Sequence, residues 1–430
     1  DPVLIEDRLD GYRSKAHKIR NRLQQLDNAT ERDKQRWIWE LLQNAVDAAN
    51  GENVDIEIAL NSDYIEFKHN GGFFVPRNVS NLVNQISSKE GTDNIGRFGT
   101  GFLSTHTLSK VVDVEGVFVP TNEPNENTNQ FFKFYLQLDR RGTTEEEIVR
   151  ALDYTMHQSY KKELIENPQK PFWTIFKYIN PDTETAKFTI DDFETIITYC
   201  LAFVPQIQTI TIQDNIEDNT IKFKRKAPQS ISEQHEIITI EKSTKDTTKE
   251  INIFCSQNND VSIAIEINTN NNTTEILPIR ENVPRLFCAY PLIGSEQFCF
   301  PFVINSEKFN PTQERENIYL RGETNQSKPN KELLKQAVEL YKSATTYITE
   351  QKWKELYLLA KHSLPPQTDD FDTNWYIENV QNKIREHLIN IPIVESQTGE
   401  LLQIAHETKF AYFPFSGKEE EDRKSTRLNS

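Results

Sequence analysis

Apolar positions along the chain change their period several times, and each change marks an element. Over residues 1–27, Leu9, Tyr12, Ala16, Ile19 and Leu23 recur at three- and four-residue spacing, which predicts a charged amphipathic helix. A second helix follows, with Asn28 or Thr30 as its cap, Glu31 and Asp33 in its first turn, and a stop at Asn50-Gly51. At about 100° per residue, its Glu40, Asn44 and Asp47 fall on one narrow arc opposite Leu41, Leu42, Ala45, Val46, Ala48 and Ala49. Val54 to Leu60 and Tyr64 to Lys68 alternate on either side of Asn61-Ser62-Asp63, a hairpin pattern that delivers His69-Asn70-Gly71-Gly72.

Beyond the hairpin, Val79 to Ile86 predicts a short helix and Ser87 to Asn94 a polar segment. A further helix is expected after Gly101, because Phe102, Leu103 and Leu108 keep helical spacing. Val111 to Val119, Gln130 to Leu138 and Phe172 to Ile179 are rich in β-branched and aromatic residues and read as strands. Thr144 to Glu166, acidic at its start, reads as a helical insertion, and Phe193 to Phe203 as a buried helix closed by Pro205. From Gln206 the pattern turns to strands: Ile207 to Gln213, Thr220 to Lys224, Glu236 to Lys242, Glu250 to Cys255, Val261 to Asn268 and Phe298 to Ile304. Asn330 to His362 is helical, with Leu333, Ala337, Leu340, Tyr341 and Ala344 on one face. Trp375 to Leu388 is a further helix, and Asn390 to Ala405 a strand pair.

Glycine placement adds chemistry to this outline. Of the 14 glycines, seven lie between Gly71 and Gly116, so backbone freedom is concentrated where something approaches the main chain, and a phosphate chain is the expected visitor. Gly96, Gly99 and Gly101 lead into a helix start, where free N–H groups and the dipole face an anion. Taken alone, the carboxylate-amide-carboxylate stripe at Glu40, Asn44 and Asp47 is the signature of a solvated helix face. Beside a glycine loop it becomes a candidate site.

Glu40 to Ala49 (ELLQNAVDAA) together with Ile95 to Ser104 (IGRFGTGFLS) resembles the ATP-binding motifs of the GHKL superfamily, which includes gyrase B, the heat-shock chaperones, histidine kinases and MutL. The glycine motif is most similar to the chaperone branch, and the later chain resembles sacsin-type bacterial ATPases; the likeness is specific over Glu31 to Val119 and diffuse to about Leu320. The resemblance implies an α+β fold, a two-layer α/β sandwich of the GHKL (Bergerat) type over residues 1–205. A strand-rich α/β domain over 206–325 and a helical region over 326–421 are expected to follow. It implies Glu40 as general base for water, Asn44 as the magnesium ligand, and Gly96, Arg97, Phe98, Gly99, Thr100, Gly101 and Phe102 as the phosphate loop. Asp47 joins them on the same helix face, and Lys89 is expected to reach a phosphate from a polar segment over Ser87 to Asn94 positioned as a lid.

Departures from the family pattern fall at the base. The family's DxGxG aspartate accepts from the adenine amino group; here the segment reads His69-Asn70-Gly71-Gly72-Phe73, so a neutral imidazole or the Asn70 carbonyl would have to accept instead. A later Gly-Thr motif is matched only by Trp173-Thr174. Phe300 to Leu320 is similar to a sacsin-type segment that carries an arginine, which makes Arg315 the first and Lys308 the second candidate for contact with the terminal phosphate.

With 36% hydrophobic and 27% charged residues, the 430-residue chain has enough sequence for two or three domains with real cores. No apolar run approaches the roughly 18 residues that a membrane span needs. A net charge of −16 argues against a broad nucleic-acid surface and suits a protein that holds polyphosphate through magnesium. Cys200, Cys255, Cys288 and Cys299 show no metal-ligand spacing and read as free thiols, with Cys255 and Cys299 in strands, so a cytoplasmic setting is expected. The start is expected to lie upstream of Asp1. Asp422 to Ser430 (DRKSTRLNS) reads as a translated adapter, with the natural chain expected to continue past about Glu421.

Two functional readings result. One is Mg-dependent ATP binding with slow hydrolysis that drives shape change in a chaperone-like or defence-associated protein, acting on an unidentified protein client and compatible with a nucleotide-dependent dimer. The other is an interaction switch that binds ATP without significant turnover.

Overall fold

The computed structural model describes residues 2–84, 101–121, 130–166, 168, 174–271, 273–313, 315–361, 368–395, 400–406 and 409–410. The chain is mixed α/β with mostly antiparallel strand pairing, and it divides into two compact units. The first comprises residues 1–194, 204–225 and 241–249; the second comprises 195–203, 226–240 and 250 onward.

The first unit is built on a sheet with strands in the order Asn219–Arg225, Ile207–Asp214, Val54–Leu60, Tyr64–His69, Thr174–Ile179, Val111–Phe118, Phe131–Asp139 and Lys161–Ile165. Every neighbouring pair in this order is antiparallel except Val54–Leu60 with Ile207–Asp214. That parallel pair places residues 206–225, expected in the second domain, in the first sheet. The hairpin forms with Ile56 opposite His69 and Leu60 opposite Ile65.

Alternation along these strands sends Ile56, Ile58, Ile65, Phe67, Phe176, Tyr178, Val112, Val114, Leu136 and Leu138 to one buried face. The Arg36–Ala49 helix packs on that side through Trp37, whose ring lies 6.4 Å from that of Tyr178. Trp37 also donates its indole N–H to Thr189 Oγ1 at 3.3 Å, and Trp39 lies 5.0 Å from Phe193, so the start of the Thr183–Phe203 helix is fastened to the same helix. Thr30 caps a separate one-turn helix, Glu31–Lys34, in a reciprocal box with Asp33, and Asn50 ends the Arg36–Ala49 helix in the left-handed region at φ 50°.

Two further expectations in this unit differ from the structure. Thr144 to Glu166 is helical only over Glu145–Tyr154; after a π turn over Thr155–Ser159, Lys161–Ile165 is an edge strand on Phe131–Tyr135. Both faces of that strand meet solvent, so no alternation marks it in the sequence. The helix after Gly101 is one turn, Gly101–Ser104, continued as a 3-10 turn over Thr105–Thr107.

In the second unit, Asn252–Gln257 pairs antiparallel with Ser262–Ile267, and Ser262–Ala264 with Val303–Asn305. Phe298–Ile304 is thus a strand only from Val303, after Pro301, which lacks the N–H a ladder needs. The Ser327–Glu350 helix buries Leu333, Ala337, Leu340, Tyr341 and Ala344 as its spacing predicts. It ends at Glu350, and Leu356–Ala360 is a 3-10 segment. Thr373–Ile389 is helical with a π turn over Ile377–Gln381, and Pro392–Glu395 pairs with Leu401–Gln403. Cys200, Cys255 and Cys288 are buried free thiols; Cys299 is half-buried and lies outside a strand.

Candidate functional site

The stripe on the Arg36–Ala49 helix forms as its periodicity dictates. Leu41, Leu42, Ala45 and Ala49 are buried, Glu40 and Asn44 are half-buried, and Asp47 is exposed. Of the other positions expected on the apolar side, Val46 is half-buried and Ala48 exposed.

Gly101 comes directly against Glu40. A Cβ on Gly101 would lie 2.1 Å from Glu40 Oε2 and 2.9 Å from Cδ, so the last glycine of the loop motif and the first carboxylate of the stripe share one spot. Phe102, the next residue, is half-buried and lies 5.3 Å from Phe176 and 5.9 Å from His106. Lys89, Gly96, Arg97, Phe98, Gly99 and Thr100 fall outside the described residues.

Gly71 and Gly72 have a different partner from the phosphate anticipated for them. A Cβ on Gly71 would lie 2.4 Å from Ala45 O, and one on Gly72 would lie 2.3 Å from Ala48 O. These two glycines let the strand end run backbone to backbone across the second half of the stripe helix. Glycine is required here by packing within the fold, and the same packing sets the His69 segment beside the helix that carries Asn44.

His69 is 3% exposed and sits on the buried face of its strand. Its Nδ1 accepts the Gly71 N–H at 3.2 Å, and its ring is stacked on Phe176 at 6.4 Å and 24°. Burial pushes its pKa down to about 4, so the ring is neutral at pH 7. Asn70 is 6% exposed and knits strands together: its Oδ1 accepts the Asp55 N–H at 2.8 Å, and its Nδ2 donates to Asp55 Oδ2 at 3.2 Å. Thr209 donates to the other Asp55 oxygen at 2.7 Å. The Asn70 carbonyl and His69 Nδ1, two acceptors available on paper for a base amine, are therefore engaged within the chain. Thr174 stands directly across from His69 on the next strand; it is 0% exposed, and its hydroxyl has no hydrogen-bond partner among the described residues.

Arg315 and Lys308 belong to the second unit. Arg315 is half-buried with φ 53°, and its N–H is donated to Thr312 O at 2.9 Å. Lys308 is exposed and paired with Asp260, whose carboxyl it holds below the usual range.

One buried cation has no signal in the sequence. Arg140, 1% exposed, donates to Val83 O at 2.7 Å and to Asp139 O at 3.1 Å, and burial pushes its pKa down to about 10. It closes the carbonyl end of the Pro76–Asn84 helix. Its neighbour Arg141 is the exposed one, paired with Asp139 at 2.6 Å. The Arg140-Arg141 pair reads in sequence as two surface charges, and nothing in its spacing tells which one turns inward.

Among the described residues, no group of three or more His, Cys, Asp or Glu side chains could hold a metal ion alone. Magnesium that rides on polyphosphate takes most of its ligands from phosphate and water, and the Asn44 amide oxygen one turn from the Glu40 carboxylate fits that sparse protein contribution. No helix among the described residues is long and apolar enough to cross a membrane. No protein-family model matches this chain, and no curated protein matches it.

Proposed function

We propose that the first unit is a GHKL-type module that binds ATP with magnesium and hydrolyses it slowly, with a conformational output. The contact between Glu40 and Gly101 carries this reading. It joins the carboxylate of the stripe to the glycine motif at one spot, while Gly71 and Gly72 bring the His69 segment onto the same helix. The mostly antiparallel sheet with helices on its buried face supports a two-layer sandwich of that type.

Glu40 is suited to accept the proton of a water attacking the terminal phosphorus, and Asn44 to hold magnesium, which when bound neutralises charge on the phosphates. Backbone N–H groups at the start of the Gly101–Ser104 turn are suited to receive a phosphate oxygen. Arg315 and Lys308, in the second unit, are the basic candidates for the terminal phosphate. Within this proposal the chain works in a chaperone-like or defence-associated protein, with ATP as ligand and a protein as client.

The test is titration of a fluorescent ATP analogue into the full chain with and without magnesium. Saturable, magnesium-dependent binding is expected. Its absence in folded protein would overturn the proposal.

A further inference from the structure

We infer that the nucleotide site is permissive for the base, because His69 presents a hydrogen-bond donor and no carboxylate stands opposite it on the flanking strands, so that ATP and GTP bind with similar affinity. The inference rests on the nucleotide reading above and extends it to the substrate class.

A neutral imidazole has one N–H and one acceptor nitrogen. Nδ1 of His69 already accepts from Gly71, so the proton sits on Nε2. The ring is neutral in its buried setting, and its remaining polar atom is a donor. A carboxylate at this position would be acceptor-only and would demand an amine from the base.

The surroundings decide what the donor works with. The residues opposite His69 on the two flanking strands are Ile56 and Thr174, and Thr174 in turn faces Gly116 on its far side. None of these is a carboxylate. Directly opposed side chains in an antiparallel pair stand about 5 Å apart at Cβ, which makes Thr174 the immediate neighbour of His69 on that strand. The Thr174 hydroxyl is fully buried and has no partner among the described residues, so a base edge meets the imidazole and not this group. Asn70 is tied to Asp55 at both ends of its amide, which holds its carbonyl toward the Asp55 N–H.

A single donor matches whichever acceptor the base brings to it. Adenine offers N1 beside its exocyclic amine, and guanine offers O6 beside N1–H. Either N1 or O6 satisfies that donor, whereas a site that leaves one of its own buried polar groups unpaired with the wrong base discriminates strongly.

The deciding measurement is calorimetric titration of the full chain with Mg-ATP and Mg-GTP, together with the ¹⁵N spectrum of the His69 ring. The parent is expected to bind the two triphosphates within about threefold of each other, and His69→Asp to favour ATP by about 10-fold or more, since a carboxylate accepts from the amine and repels O6. The ring is expected to show a protonated Nε2. An ATP preference above about 30-fold in the parent, or an Nε2 without its proton, overturns the inference while leaving nucleotide binding intact. The parent ratio needs no variant to fold. If no triphosphate binds, the nucleotide reading falls and the inference falls with it.

Discussion

Glu40 and Gly101 meet so closely that a methyl group on the glycine would sit 2.1 Å from Glu40 Oε2. The obstructing atom is the far end of a flexible side chain, so the carboxylate moves aside and the backbone keeps its path. Gly101→Ala should therefore shift the melting temperature by no more than about 4 °C, an effect of roughly 1 kcal/mol or less. Displacing a general base by about 1 Å can cost on the order of 100-fold, so phosphate release from ATP should fall by at least about 10-fold. Unchanged turnover in this variant would separate Glu40 from catalysis.

Gly71→Ala and Gly72→Ala should behave in the opposite way. Their new Cβ atoms would meet Ala45 O and Ala48 O at 2.4 and 2.3 Å, and these are helix backbone atoms that cannot swing aside. Forcing such a contact costs about 1–3 kcal/mol or more, visible as a lowered urea midpoint for the first unit. A stability equal to the parent's in both variants would contradict the packing described.

His69 gives stability a pH dependence. In the unfolded chain it titrates near its ordinary value of 6.5, and in the fold burial lowers that to about 4. Between these values the unfolded state binds more protons, so stability rises with pH across this window and is lost as pH falls through it. A tenfold change in proton affinity is worth about 1.4 kcal/mol, so the full loss is on the order of 3 kcal/mol. His106, also buried and lowered to about 3, adds a loss of the same sign. Urea midpoints followed by tryptophan fluorescence from pH 7 to pH 4 should fall steadily, and His69→Phe should flatten part of that slope.

Much of the first unit was legible because its elements alternate or cycle against a single buried face. The hairpin into His69 and the stripe of Glu40, Asn44 and Asp47 follow from spacing alone. Lys161–Ile165 was not legible, because an edge strand exposed on both faces has no period to read. At the site, the pairing of Glu40 with Gly101 follows from motifs, whereas the duties of Asn70 and Arg140 do not. Asn70 is committed to Asp55 across the open end of the hairpin, and Arg140 to a carbonyl of the Pro76–Asn84 helix. Such partners are set by tertiary register, which no local pattern encodes.

Asn44→Ala and Glu40→Gln should separate binding from chemistry. Asn44 is half-buried on the same helix face as Glu40, one turn away, and its amide oxygen is suited to magnesium. Its loss should abolish the magnesium-dependent part of ATP affinity. Glu40→Gln keeps the shape but removes a charge that would repel a terminal phosphate bound there, so ATP should bind at least as well as in the parent. Without a general base, turnover should drop by about 100- to 10,000-fold, leaving the ATP-bound state to accumulate. Single-turnover hydrolysis measured beside equilibrium binding distinguishes the two readings of the site. If the parent hydrolyses ATP no faster than Glu40→Gln while both bind it, the protein is a nucleotide-dependent switch and Glu40 is not a catalytic base.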